Sequence, residues 1–144
     1  MTPPRWVFQA FWALHKGVSH ASGGRIGTRP PTENRVGTLF LLSRGRRSGQ
    51  VRRNGLFYLE DGGALVVVAS NAGAENDPAW WLNLQATPEA EVDMPGGRRP
   101  VRARPATAPD RDRLWPRLVG ANPPYAEYQK AVTRPIPVVI LEPR

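Results

Sequence analysis

Residues 56–70, Leu-Phe-Tyr-Leu-Glu-Asp-Gly-Gly-Ala-Leu-Val-Val-Val-Ala-Ser, decide the fold. Leu56-Phe57-Tyr58-Leu59 closes a strand predicted over Val51 to Leu59. Asp61-Gly62-Gly63 reads as a hairpin turn, because glycine enters the left-handed conformations that tight turns require. Ala64 to Ser70 is nearly all apolar, as expected of a central strand covered on both faces. Strands joined by so few residues pair antiparallel.

Working outward, Val36 to Ser43 reads as another strand, carrying Leu39-Phe40-Leu41-Leu42. Between these first two strands lies Gly45-Arg46-Arg47-Ser48-Gly49-Gln50, a glycine-bounded connection. Downstream, Asn71-Ala72-Gly73-Ala74 is a small polar loop. Asp77-Pro78 starts a helix, with Asp77 as the cap and Pro78 in the first position. Trp80, Trp81 and Leu84 give that helix its bulk, and Pro88 stops it. Ala90 to Met94 is a short strand, Pro95-Gly96-Gly97 a turn, and Arg99 to Arg104 another strand. Thr107-Ala108-Pro109-Asp110 resembles a capping box ahead of Leu114, Trp115, Leu118 and Val119. Asn122-Pro123 can cap a further helix holding Tyr125 and Tyr128, and Ile136 to Leu141 is a last strand.

At the other end, Thr2 to Lys16 is predicted helical and apolar on more than one stripe, either buried or facing a greasy partner. Ser19 to Asn34 is a polar linker or ordered loop. The order of helix, three strands, helix, two strands, two helices and strand implies an α+β fold whose antiparallel sheet curls into a small barrel. Two parts are expected: an N-terminal helix and polar loop over 1–35, and a barrel domain over 36–144.

The 144 residues suit one such domain, burying roughly two-thirds of the unfolded surface. The formal charge is +8, and Lys16 and Lys130 are the only lysines among 20 basic residues. A positive surface favours nucleic acid, anionic lipid or an anionic cofactor. With no cysteine, disulfides, cysteine-ligated zinc and a thiol nucleophile are excluded, which fits the cytoplasm. No signal peptide or spanning helix is expected. The stretch Trp6 to Leu14 reaches ~15–20 Å, short of a bilayer core of ~30 Å.

Little here supports side-chain catalysis. The histidines are His15 and His20, no serine sits in a nucleophile elbow, and no metal-ligand cluster appears. Glu60-Asp61, at a hairpin tip, reads as solvated charge. An anion-plus-aromatic constellation remains. Arg46, Arg47, Ser48, Gln50 and Arg52, with Ser70 and Asn71, are donors suited to phosphate or carboxylate. Trp80, Trp81, Tyr125 and Tyr128 are candidate ring neighbours; the two adjacent tryptophans point about 100° apart, so one should pack in the core and the other could line a pocket. A flat heteroaromatic ligand with an anionic tail suits both sets, whereas a solvated charged turn is the competing reading of the loop. Single-stranded nucleic acid fits less well, because the aromatics fall mostly on helices.

The series L-L-S-R-G-R-R-S-G-Q, L-F-Y-L-E-D-G-G-A-L-V-V-V-A-S-N, D-P-A-W-W-L-N-L-Q-A-T-P and T-R-P-I-P-V-V-I-L-E-P resembles the deazaflavin-dependent nitroreductase family of actinobacteria. These are coenzyme F420-dependent oxidoreductases with a split β-barrel, and the likeness spans about Thr38 to Pro143. It implies hydride transfer from reduced F420 to a quinone, nitroaromatic or activated alkene. It also implies that Arg46, Arg47, Ser48, Gly49, Gln50 and Arg52 hold the phosphate and glutamate tail. Val68, Ala69, Ser70 and Asn71 would line the deazaflavin, and Ala79, Trp80, Trp81, Leu82 and Asn83 would complete the cofactor pocket. Tyr125 and Tyr128 would border the substrate, and Tyr128, Ser70 or water would supply a proton. Asn71 stands where some relatives carry lysine, Asn122 where the nitroreductase-active member has a tyrosine, and Gly55 where proline is usual. The alternatives are FMN as cofactor, or F420 binding without turnover. The expected partner is a small electron acceptor in a monomer or homodimer, with peripheral membrane contact through the N-terminal helix and no nucleic acid.

Overall fold

The computed structural model describes residues 27–144. Six strands, β1 (Gly37–Arg44), β2 (Val51–Asp61), β3 (Ala64–Val68), β4 (Glu89–Met94), β5 (Gly97–Pro105) and β6 (Val138–Pro143), close into a barrel in the order β1-β2-β3-β6-β5-β4. Every pairing is antiparallel, as the tight turns predict. Closure gives every strand a partner on each side, although β2 meets β3 only over Leu59–Asp61.

Alternation sorts the side chains. Leu39 and Leu41 of β1, Leu56 and Tyr58 of β2, Leu65 and Val67 of β3, Val92 of β4 and Val101 of β5 fill the interior. Val66 and Val68 of β3 point outward with Val138 and Ile140 of β6. The apolar run in β3 is thereby explained, because both of its faces are covered. Helix α2 (Ala108–Ala121) and helix α3 (Pro124–Ala131) supply the outer cover through Leu114, Leu118, Tyr125 and Tyr128. Thr107 caps α2 as expected, its side chain accepting from the Asp110 N–H at 3.3 Å.

The strand directions divide the barrel into two ends. β1, β3 and β5 finish on one rim, where β2, β4 and β6 begin. That rim carries the 45–50 loop, the whole β3–β4 connection and the approach to β6. The opposite rim carries the short turns at Gly62-Gly63 and Pro95-Gly96.

Several expectations need correction. β6 begins at Val138, two residues later than predicted, and Ile136 is buried in the irregular segment before it. Asp61 is not simply solvated. Arg113 grips both of its oxygens at 2.8 and 2.9 Å, and Arg117 adds a longer contact of 3.4 Å. Asn122 does not cap α3, whose N-cap position is Pro123 with no side-chain bond. Asn122 instead ends α2, and its carbonyl accepts from the Tyr125 N–H at 3.1 Å. The described part of the polar loop lies on β1, with Arg29 and Thr38 exchanging backbone bonds of 3.1 and 2.9 Å. The predicted helix Thr2 to Lys16 lies outside the described residues.

Candidate functional site

All of the singled-out donors and tryptophans lie on or beside the loop-bearing rim, because helix α1 (Ala79–Ala86) crosses from the end of β3 to the start of β4. Its sequence, Ala-Trp-Trp-Leu-Asn-Leu-Gln-Ala, has no polar stripe. Trp80, Trp81 and Leu84 are buried in the barrel's interior cluster, so the helix closes the mouth like a stopper. Both indoles are therefore core, where one was expected to face a pocket. Ala79 is exposed and Leu82 half-buried.

Asn83 ties this stopper to the basic loop. It is 5% exposed, and its Oδ1 accepts from the Arg46 backbone N–H at 3.1 Å and from Arg46 Nη1 at 2.9 Å. The loop itself is closed by Gly45 N–H to the Gln50 carbonyl at 2.7 Å and Gly49 N–H to the Gly45 carbonyl at 2.8 Å. Gly49 sits at φ 73, in the left-handed region that glycine enters without strain. Ser48 Oγ accepts from the Gln50 N–H at 3.2 Å and Arg52 Nη2 at 3.4 Å, and Arg44 Nη1 donates to the Gly49 carbonyl at 3.2 Å.

Charge is distributed unevenly around the barrel. On its wall, Arg53 and Arg98 share Asp93, Arg102 pairs with Glu89, and Arg104 bridges Glu142 and Asp110. The two arginines beside Asp93 hold its carboxyl below the usual carboxylate range, with the Arg98 hydrogen bond the largest cause. Among the described residues no carboxylate pairs with Arg44, Arg46, Arg47 or Arg52. Four guanidinium groups within nine residues are thus left with uncompensated charge at one rim.

Beside them, β3 ends at Val68 and the chain enters a 3-10 turn, Asn71–Gly73. Asn71, Ala72 and Gly73 all have positive φ, at 48, 53 and 82. For alanine this conformation costs about 1–2 kcal/mol, so its surroundings must impose it. Arg134 is one restraint, beside the Asn71 Nδ2 bond to the Asn76 carbonyl at 3.0 Å. It donates to the carbonyls of Ala69, Ser70, Ala74 and Asn76 and to Asp77 Oδ1 at 2.6 Å. Asp77 therefore does not cap α1; Pro78 holds the N-cap position and no side chain caps the helix. Sequence reading missed Arg134 altogether, since its partners lie 57 to 65 residues away.

Tyr125 and Tyr128 lie in the outer cluster, apart from the tryptophans inside the barrel. Their rings meet edge to face at 6.4 Å, and Tyr125 also lies 6.4 Å from Trp115. Burial pushes both phenols above their ordinary value. Tyr128 lies against Gly73, where an added Cβ would come within 3.2 Å of its ring. The structure thus brings Tyr128 to the Ser70–Gly73 turn, and both tyrosines are buried. Among the described residues no group of His, Cys, Asp or Glu has metal-binding geometry.

A family model described as F420H(2)-dependent quinone reductase matches residues 12–143. This chain belongs to that family. An F420H(2)-dependent quinone reductase of Mycobacterium tuberculosis is 38% identical over 91% of this chain and 89% of its own. A solved F420-H2 dependent reductase is 35% identical, with TM-score 0.67 over 73% of this chain and 93% of its own. Another solved relative, described as a domain-swapped dimer, is 30% identical, with TM-score 0.72 over 95% and 97%. The heme storage protein HutZ of Vibrio cholerae, 11% identical over 74% of this chain and 81% of its own at TM-score 0.51, shares the fold alone.

Membership in the quinone reductase family makes the chain an oxidoreductase with coenzyme F420 as cofactor. The donor set fits that group: uncompensated guanidiniums suit an anionic tail, and the adjoining turn offers small side chains to a flat ring.

Proposed function

We propose that this F420-dependent oxidoreductase reduces a quinone, holding the cofactor's tail at the β1–β2 loop and its ring beside the end of β3. The observation that carries the reading is the set of unpaired guanidiniums, with Arg46 fixed to the stopper helix through Asn83. Bound reduced F420 supplies a hydride. The remaining work falls to the protein's own groups. Arg46, Arg47, Ser48, Gly49, Gln50 and Arg52 bind the phosphate and glutamate tail through forked and backbone donors. Val68, Ala69, Ser70 and Asn71 flank the ring, and Ala79, Trp80, Trp81, Leu82 and Asn83 support that cradle from the stopper helix. Water exclusion comes from the buried indoles beneath.

A quinone that accepts a hydride also needs a proton. Ser70 Oγ and the Tyr128 phenol are the proposed donors, either directly or through water, with Tyr125 bordering the acceptor. Burial keeps Tyr128 protonated through neutral pH, as a donor requires. The apolar stretch Trp6 to Leu14 is the proposed contact with anionic membrane, where quinones reside. Among the described residues no helix is long and apolar enough to cross a bilayer. A cytoplasmic protein, peripheral on the inner face of the membrane, is the location this reading favours.

The test is anaerobic oxidation of reduced F420 by menaquinone with purified protein, beside parallel titrations with F420 and FMN. Quinone-dependent oxidation together with F420 binding is the expected result. Tight F420 binding with no turnover on any quinone or nitro acceptor would sink the quinone assignment. Co-sedimentation with anionic vesicles, with and without residues 1–26, tests the membrane contact. Sedimentation velocity separates monomer from homodimer.

A further inference from the structure

We propose that Arg134 is a positioning residue for hydride transfer: it fixes the Ala69–Asp77 loop so that the loop presents its N–H groups and Ser70 to the F420 ring. The proposal rests on the reading above that the ring lies along Val68 to Asn71. Arg134 stands between α3 and β6, with its side chain 17% exposed. Nη2 donates to the carbonyls of Ser70 at 3.3 Å, Ala74 at 3.0 Å and Asn76 at 3.2 Å, while Nη1 reaches Ala69 at 3.4 Å. Nε adds a contact to Ala74 at 3.4 Å, and Asp77 Oδ1 neutralises the charge at 2.6 Å.

The consequence is directional. A trans peptide unit carries its C=O and N–H on opposite sides, and the described residues contain no cis bond. Carbonyls of Ala69, Ser70, Ala74 and Asn76 that point at the guanidinium leave the N–H groups of Ser70, Asn71, Glu75 and Asp77 pointing away from it. Without this cation the loop keeps its internal bonds, including Asn71 Nδ2 to the Asn76 carbonyl at 3.0 Å, but loses the group that gathers four of its carbonyls to one point. Lysine cannot substitute, since its three donors radiate from one point whereas the guanidinium spreads five in a plane.

Arg134 is itself held from the tyrosine helix. Gln129 Nε2 donates to the Arg134 carbonyl at 2.8 Å. Gln129 Oε1 accepts from the Ile136 N–H at 2.9 Å and from Arg111 Nη2 at 3.1 Å. Hydrogen bonds therefore run from α3, which carries Tyr125 and Tyr128, through Gln129 and Arg134 into the loop beside the ring. The acceptor side and the cofactor side of the site share one scaffold.

The experiment compares full-length wild type with Arg134→Lys, Asp77→Asn and, as a control on the opposite rim, Arg113→Ala. Three quantities are read: the F420 dissociation constant from fluorescence, the visible absorption band of bound F420, and the single-turnover rate of reduced F420 with saturating menaquinone. For Arg134→Lys the rate is expected to fall tenfold or more and the bound band to shift. The dissociation constant should change less than threefold, since the tail is anchored elsewhere. Asp77→Asn should follow in the same direction by about threefold, and Arg113→Ala should match wild type. A purely structural role lowers the thermal midpoint and the active fraction but leaves the rate per bound cofactor and the band alone. Rates within twofold of wild type with an unshifted band, or a loss confined to the dissociation constant, overturn the proposal. If Arg134→Lys does not fold, Asp77→Asn decides by the same criteria. Wild type that binds no F420 refutes the ring-site reading instead.

Discussion

Arg47 and Tyr58 mark two extremes of how a polar group is treated in this barrel. Arg47 is exposed and pairs with no carboxylate among the described residues. Its replacement by alanine should cost the fold nothing and weaken F420 binding about tenfold, the loss of one charge-assisted hydrogen bond. Fluorescence titration beside a thermal melt checks both halves. Tyr58 is 1% exposed, and its hydroxyl has no hydrogen-bond partner among the described residues. Burial, with Glu60 adding to it, pushes the phenol up to about 12. The folded value exceeds the unfolded value of about 10, so the stabilisation from the neutral phenol is complete below pH ~10 and lost as pH climbs through ~12. Tyr58→Phe removes an unsatisfied hydroxyl, which should leave stability at pH 7 equal or higher by about 1 kcal/mol and flatten the alkaline decline. Urea unfolding at pH 7 and pH 11 measures both effects; a wild-type pH slope in the variant would refute the assignment.

At the scale of elements, local signals served well where the interaction was local. The hairpin at Gly62-Gly63 and the Thr107 cap are contacts over two or three residues, and both were legible. Asp77 before Pro78 carried the same kind of capping signal, yet an arginine 57 residues away captures its carboxylate. A partly buried charge-assisted bond outweighs an N-cap bond, and no local pattern records that competition. The division of Trp80 and Trp81 from Tyr125 and Tyr128 was likewise unreadable. It depends on which face of a closed sheet each helix covers, and the family likeness supplied the residues without their depth. Gly37 tests how the 27–36 segment is laid on β1. A Cβ there would come within 2.5 Å of the Arg29 carbonyl oxygen and 2.7 Å of the Pro31 nitrogen. Both atoms are backbone and cannot swing aside, so Gly37→Ala should destabilise by about 1–3 kcal/mol. Protease cutting within residues 27–36 should accelerate in the variant; unchanged protection would contradict the packing.

Across the whole molecule, arginines divide by task. Those on the barrel wall that neutralise Asp93, Glu89, Glu142 and Asp110 contrast with Arg44, Arg46, Arg47 and Arg52 of the 44–52 segment, which pair with no carboxylate among the described residues. The net charge of +8 was plain from composition, but which arginines are neutralised by a carboxylate required the register. Salt should therefore weaken cofactor binding more than it weakens the fold, because the Debye length falls from ~10 Å at 0.1 M to ~3 Å at 1 M. The F420 dissociation constant is expected to rise severalfold between 50 mM and 500 mM salt, as an order-of-magnitude estimate, with a shallower slope in Arg47→Ala. Parallel slopes for the two proteins would remove that loop from the tail site.

The opposite rim has a practical meaning. Its Gly62-Gly63 turn is exposed, and a Cβ at Gly63 would meet only the Pro143 ring, at 4.0 Å. The chain has no cysteine of its own, so Gly63→Cys would place a single thiol at the pole opposite the proposed cofactor site. Coupled there to an electrode or a fluorophore, the enzyme would stand with the proposed cofactor mouth facing the solution.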